Sequence, residues 1–384
     1  MTRTRRLLIW FGLGIPALLA LGFVVWILRL PPAAAAGPPP PMTATEVESI
    51  LASLAPPKRE RPLVAIVGLN DATETTDYLM PFGILKRADV ADVLALATGP
   101  GPVRLYPALR VQPQATVAEF DARHPDGADY VIVPAMSRDD DPVAIRWIRS
   151  QAAKGAIVIG VCAGAKVVAA AGLLDGRRAT THWYYLADLR ERHPTIRYVP
   201  DRRLVVDRGV ATTTGITASM PTMLTLIEAI AGRARADAVA RDLGLARWDT
   251  RHDSDAFRLE RPFALTVLAN LAARWKHEEL GLPLTGGVDE VSLALVADAW
   301  SRTYRSRAVT FAPTAGPQRS RHGIDIHPDR VATSWPADRL LPAMWQERPA
   351  PALERALDGV ASRFGARTAD IVAMQLEYPG RRAQ

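Results

Sequence analysis

Residues Gly155–Gly172 read GAIVIGVCAGAKVVAAAG, a strand that runs directly into a helix with the only cysteine of the chain at the joint. Ile157, Val158, Ile159 and Val161 are β-branched and apolar, as a buried parallel strand requires. Ala163 to Ala171 is a run of good helix formers closed by Gly172. Cys162 falls on the turn, and glycine or alanine at positions 160, 163, 164 and 165 leaves room for the sharp bend of a nucleophile elbow. A thiol there points at a helix N-terminus, whose unpaired N–H groups and dipole favour the thiolate. The sequence therefore predicts an activated cysteine, against the alternative of a small packing residue.

The flanks of this stretch fit the same plan. Pro62–Gly68 and Tyr130–Pro134 are short apolar runs that read as strands, as does Val103–Tyr106, and Thr76–Ala97 carries helix-type spacing. Asp139–Asp141 followed by Pro142 reads as an N-terminal cap with proline in the first turn of a helix that ends at Gly155. Strands alternating with helices predict an α/β fold with a mostly parallel sheet, whose functional residues gather at the carboxyl ends of the strands.

The 384 residues suffice for two domains, and 48% hydrophobic with 23% charged is ordinary globular composition. The net charge of +7 is carried by scattered arginines without a basic block, which argues against nucleic acid as a partner. Leu7–Leu28 is a nearly unbroken apolar run preceded by Arg3, Arg5 and Arg6, so the chain is expected to begin with a transmembrane anchor. The body would then lie on the extracytoplasmic side of the cell membrane as a single-pass protein; a cleaved signal peptide is the competing reading. Pro31–Pro41 reads as a stiff spacer, and Thr45 to Glu48 as a capping box opening a helix over Ile50–Ala55. One cysteine allows no internal disulfide.

Gly160–Trp183, GVCAGAKVVAAAGLLDGRRATTHW, resembles the ThiJ/PfpI branch of the class I glutamine amidotransferase-like superfamily. It is similar above all to the sensor domain of GlxA-like regulators and to isocyanide hydratases. VPAM at 133–136, TTTGITASM at 212–220 and DYLMPFGIL at 77–85 carry the resemblance across Pro62–Gly244. It implies a flavodoxin-like three-layer sandwich, with Cys162 as nucleophile, Asp77 as the acidic residue approaching its sulfur, and the Ala163 N–H as a stabiliser of developing negative charge. His182, Thr214, Ala135 and Met136 are the implied substrate-binding positions, and no cofactor is implied. Glu74 reads as a solvated loop charge beside Asp77. The chain departs from proteolytic relatives in placing Ala163 where they have histidine after the cysteine, and Ala135-Met136 where many have Gly-Gly. No helix-turn-helix pattern follows Trp248.

His322, Asp325 and His327 invite a metal, but no further ligand converges with them in the sequence, and no metal site is predicted. Their segment is informative for another reason. Gly316–Pro328 aligns without a gap on Gly101–Pro113, LLPAM after Asp338 echoes VIVPAM after Asp129, ADIVAMQL from Ala369 echoes ADAVARDL from Ala236, and Val288-Asp289 begins a helix as Thr76-Asp77 does. Four echoes in order argue for an internal duplication whose second copy, with no room for an elbow between Met344 and Leu357, is non-catalytic. The expected organisation is a tip and anchor over 1–30, a linker over 31–60, a ThiJ/PfpI-like domain over 61–248, a connector over 249–282 and a truncated lobe of the same type over 283–384. Val291, Leu293, Leu295, Ile371, Val372 and Leu376 would be buried between the lobes. The sequence thus leads to a cysteine-centred small-molecule pocket for thiol-dependent hydration or hydrolysis, with a ligand-binding or redox-sensing module as the alternative. Its expected partners are a small-molecule ligand, the membrane, and either a second copy of the chain or the internal lobe in a pseudo-dimer.

Overall fold

A computed structural model describes residues 18–34, 37–343 and 347–379. Its centre is a seven-stranded sheet in the spatial order Leu204–Asp207, Val210–Thr213, Ile157–Gly160, Tyr130–Val133, Leu63–Gly68, Asp92–Ala97, Ala115–Thr116. Every neighbouring pair is parallel except the edge pair Leu204–Asp207 with Val210–Thr213. The strand Leu63–Gly68 is buried along its whole length, and its alternate residues enter different cores. Val64 and Ile66 pack with Tyr78, Phe82 and Met223 on one side; Ala65 and Val67 pack with Phe120, Ile148 and Val168 on the other. Helices on both faces of a parallel sheet make this a flavodoxin-like three-layer α/β fold.

Several expected boundaries move. The helical spacing of Thr76–Ala97 splits into the helix Thr75–Ala88 and the strand Asp92–Ala97, because Asp89 adopts φ 49° and ends the helix. The first described cap is Thr43, whose side chain accepts the Glu46 N–H, so the helix Ala44–Ser53 starts ahead of the expected capping box. The membrane anchor and the extracytoplasmic placement are corrected: among the described residues no helix is long and apolar enough to cross a bilayer. Residues 1–17 of the expected span lie outside the described residues, and the described remainder is helical only over 18–29.

The order strand, helix, strand, hairpin, short strand occurs twice. Its first instance is Leu63–Gly68, Thr75–Ala88, Asp92–Ala97, then Val103–Tyr106 with Arg110–Gln112, then Ala115–Thr116. The second is Glu278–Pro283, Glu290–Ser301, Ser306–Ala312, then Gln318–Arg319 with Asp325–Ile326, then Arg330–Val331. The helix caps Glu74 and Asp289 are 215 residues apart, as are the left-handed residues Asp89 and Tyr304. Gln114 accepts the Ala95 N–H through its side chain, and Asp329 accepts the Thr310 N–H in the same way. This register pairs Asp289 with Glu74 and puts Ser292 opposite Asp77, which shifts the helix echo read from the sequence. The echo at Leu340–Met344 is reduced to one bridge from Leu340 to Gly281, and Met344 lies outside the described residues.

The two units pack on each other around a local two-fold relation. Ile326 pairs antiparallel with Val111, its own counterpart, so the two hairpins merge into one five-stranded sheet. The helices Thr75–Ala88 and Glu290–Ser301 lie side by side with Gly83 at the contact, where a Cβ would stand 2.5 Å from both Val291 Cγ2 and Glu290 Oε1. Val291, Leu293, Leu295, Ile371, Val372 and Leu376 are all buried. Gly83→Val is therefore expected to cost about 1–3 kcal/mol of stability by overpacking, whereas Gly316→Ala, whose Cβ meets nothing within 4 Å, should be nearly neutral. Urea unfolding of the two variants provides the comparison.

Candidate functional site

The strand Ile157–Gly160 ends in Val161, and Cys162 follows at φ 56°, a left-handed conformation unusual for a residue with a Cβ. Two threonines hold it there. The Cys162 N–H donates to Thr213 Oγ1 at 3.0 Å, and the Thr181 hydroxyl donates to the Cys162 carbonyl at 3.0 Å. The helix Gly164–Ala170 then starts so close to the neighbouring strand that a Cβ on Gly164 would stand 2.0 Å from the Val133 carbonyl oxygen. Only glycine fits that approach, which explains the small residues around the cysteine.

Cys162 opens onto a cavity of about 530 Å³. Ala163, Ala135, Met136 and His182 share its wall, together with Glu74 and Arg302. Aromatic side chains, Tyr106, Trp183, Tyr184, Tyr185 and Tyr304 among them, form much of the remaining lining. Lys166 is also on the wall and is tied to Asp139 at 3.1 Å and Asp188 at 2.7 Å. Asp77 and Thr214 lie behind this surface, both buried.

The acidic groups divide the work differently from the sequence reading. Glu74 is not a solvated loop charge: it is 7% exposed, caps the helix Thr75–Ala88 by accepting the Asp77 N–H at 2.6 Å, and accepts the Thr76 hydroxyl at 2.9 Å. Arg302 from the second unit donates to its other oxygen at 2.7 Å and to Asp298 at 2.7 Å. Asp77 Oδ2 accepts the Ala135 N–H at 3.1 Å, while Oδ1 is buried without a partner among the described residues. Burial pushes the Asp77 carboxyl well above the usual carboxylate range, and the Glu74 charge adds to the rise. The Asp77 carboxyl, with one unengaged oxygen, is close enough to weigh on the cysteine though no hydrogen bond joins the two.

The expected thiolate is not what this environment favours. Burial pushes the Cys162 thiol well up, the charges of Asp77, Glu74 and Glu377 push the same way, and the Ala163 N–H pulls against them. A seven-residue helix offers little dipole against the loss of hydration on burial. His182 is likewise committed. Its Nε2–H donates to the Gln375 carbonyl at 2.9 Å and its Nδ1 accepts the Tyr184 N–H at 3.1 Å. Burial holds its pKa down, so a neutral ring with both nitrogens engaged lines the cavity without acting as a base.

Sequence reading missed two groups brought by the C-terminal part. Glu377 is buried behind His182, accepting the Trp183 N–H at 2.8 Å and the Gly215 N–H at 2.7 Å. Gly215 is required there, since a Cβ would stand 2.6 Å from the Glu377 carboxyl carbon and 2.8 Å from His182. For Arg302 a signal exists in the repeat: it stands 215 residues after Arg87, and Arg87 donates to Asp289 just as Arg302 donates to Glu74. The metal candidates are dispersed, His322 pairing with Glu290 at 2.5 Å and Asp325 with Arg319 at 3.4 Å. Among the described residues no group of three ligating side chains converges.

Residues 64–229 match the DJ-1/PfpI family, and an isonitrile hydratase of Pseudomonas putida is 36% identical over 161 residues, 41% of this chain and 67% of the relative. The chain belongs to the DJ-1/PfpI family. The regulator CdhR of Pseudomonas aeruginosa is 32% identical over 125 residues, so the chain spans 37% of that relative's length. Among solved structures, a mutant of a DJ-1 superfamily protein from Salmonella typhimurium is covered completely by 48% of this chain, at 24% identity and a TM-score of 0.43. The DJ-1/PfpI match ends before Arg302 and Glu377, so two of the charged groups bearing on Cys162 lie outside it.

Two outcomes follow from this electrostatic balance. The rate of iodoacetamide alkylation of Cys162, plotted against pH, should lie to the alkaline side of an unperturbed cysteine, because burial and carboxylates oppose the thiolate. Glu74→Gln should move the curve back toward neutrality; an acid-shifted curve in the native protein would refute the argument. Arg302→Met leaves Glu74 and Asp298 buried without their cation and is expected to destabilise the fold by about 3–5 kcal/mol. Arg307→Met, which removes a more exposed pair with Glu279, should cost at most about 1 kcal/mol. Chemical denaturation measures both.

Proposed function

We propose that the protein adds water to a small substrate with an unsaturated carbon to which a thiol can add, of which an isonitrile is the leading candidate, by way of Cys162. The observation that carries this reading is the cysteine itself, held in a left-handed turn by Thr213 and Thr181 on the wall of a cavity of about 530 Å³. A relative named isonitrile hydratase, alike across this region, supports the substrate class. The sulfur bonds to the substrate carbon while the thiol proton passes to the substrate, with Asp77 as the carrier. Water then adds to the same carbon, the carbon–sulfur bond breaks, and the proton returns to sulfur. One water is consumed and the thiol is regenerated. The Ala163 N–H is the proposed stabiliser of charge on the substrate.

A second reading is favoured by the engagement of the Ala135 N–H with Asp77, which leaves the Ala163 N–H without that neighbour as a second donor. In this reading the cavity binds its ligand without turnover, as a sensor. Similarity to the regulators CdhR and GlxA supports it. In either reading the C-terminal unit from Glu278 onward is proposed to be a degenerate copy of the first that acts as an internal partner. The recurrence at 215 residues and the paired hairpins support that view.

Incubation with a simple alkyl isonitrile, followed by NMR detection of the N-substituted formamide, tests the enzyme. Turnover should vanish in Cys162→Ala and fall by about 10²–10⁴ in Asp77→Asn. Saturable binding of the same isonitrile without product would favour the sensor, and absence of both would exclude this substrate class.

A further inference from the structure

A second cavity, of about 380 Å³, opens elsewhere on the molecule. It is assembled from five separate parts of the chain: Gly37 and Pro39 of the proline-rich segment, Arg203 just before the strand Leu204–Asp207, the start of the helix Ser219–Ala231, the stretch from Leu245 to Phe257, and the C-terminal unit through Leu353 and Tyr378. Much of it lies outside the region shared with the DJ-1/PfpI family. Met220, Pro221, Leu245, Trp248, Phe257 and Leu353 give it an apolar and aromatic body.

Its charged residues are unequally engaged. Asp249 holds Arg251 at 2.7 Å, and Asp253 Oδ2 accepts the Gly37 N–H at 2.7 Å. His252 stacks on Phe257 with ring centroids 5.2 Å apart. Burial lowers its pKa, so it adds no cation near neutral pH. Arg203 is different: its Nε is buried without a hydrogen-bond partner among the described residues, although the charges of Glu377 and Asp249 bear on its guanidinium. A buried N–H without an acceptor is costly unless something supplies one. Arg247 adds a second cation on the same wall.

We propose that this cavity binds a small organic monoanion, a carboxylate carried on an apolar or aromatic body. The carboxylate sits on Arg203 and accepts its N–H groups in the planar geometry a guanidinium offers. The body fills the space between Trp248, Phe257 and Leu353, which excludes a strongly hydrated ion such as sulfate as the natural occupant. The buried volume accommodates about a dozen heavy atoms within the usual size of small-molecule sites. This site is separate from the cysteine cavity, although His252 stands 3.5 Å from Glu377, whose other oxygen receives the Trp183 N–H beside His182.

Isothermal titration calorimetry of the full chain with 4-phenylbutyrate, and with its neutral amide, tests the assignment. Saturable binding of one carboxylate per chain is expected, weakened about tenfold or more for the amide and in Arg203→Gln, and unchanged in Cys162→Ala. Arg203→Lys, which keeps the cation, should bind between the two. The comparison of acid and amide on the unaltered protein needs no variant to fold. No saturable binding up to about 10 mM, equal binding of acid and amide, or loss of binding in Cys162→Ala would each overturn the proposal.

Discussion

The ion pair between Arg302 and Glu74 couples the two units, the helix cap and the cysteine cavity in one place. Glu74 ends the loop before the helix Thr75–Ala88 and caps it; Arg302 arrives from the end of the helix Glu290–Ser301 and has Asp298 as its second acceptor. Both partners are largely withdrawn from water, with side-chain exposures of 14% and 8%. A buried pair of this kind adds little net stability, since desolvation consumes most of the attraction. Its effect is specificity: each unit carries a charge that is tolerable only when the other is docked in register. The counterpart pair of Arg87 and Asp289 imposes the same condition from the opposite side.

The charge of this pair also reaches the chemistry. Two carboxylates, Glu74 and Asp298, share one guanidinium, so Asp298 is driven well above its usual range, by burial first, with Arg302 resisting and Glu74 reinforcing the rise. Asp77, one helical turn beyond the cap, is raised for the same two reasons of burial and Glu74. The site therefore disfavours negative charge on both Asp77 and the Cys162 thiol. In the proposed reaction Asp77 carries the proton and Cys162 ionises only when a substrate offers compensation, and neither role requires a histidine directly after the cysteine.

The elbow depends on close approach of main chains. Gly164 lies against the Val133 carbonyl and Gly215 against Glu377 and His182, so at both points a side chain is excluded by backbone or by a buried carboxylate. Threonine hydroxyls replace sheet hydrogen bonds where the strand stops, Thr213 receiving the Cys162 N–H and Thr181 satisfying its carbonyl. This left-handed cysteine is over-determined by its surroundings, which is the condition for keeping a strained residue in place.

Local pattern was enough to identify the strand-to-helix joint at Cys162, the α/β alternation and the parallel sheet, because apolar periodicity and small residues at a bend are properties of neighbouring positions. It also carried the recurrence of Gly101–Pro113 at Gly316–Pro328. It failed where charge and burial are decided by distant parts of the chain. Glu74 reads as a loop charge because its partner is Arg302, 228 residues away. Cys162 reads as a thiolate because a helix terminus is visible in sequence, whereas the three carboxylates that oppose it, Glu377 among them, converge only on folding. His182 reads as a free pocket donor because nothing local announces that Gln375 and the Tyr184 N–H engage both its nitrogens. The sequence by itself determined where the cysteine of the elbow sits; only the tertiary structure decided how strongly its ionisation is opposed, since pKa depends on desolvation and on charges that no local window contains.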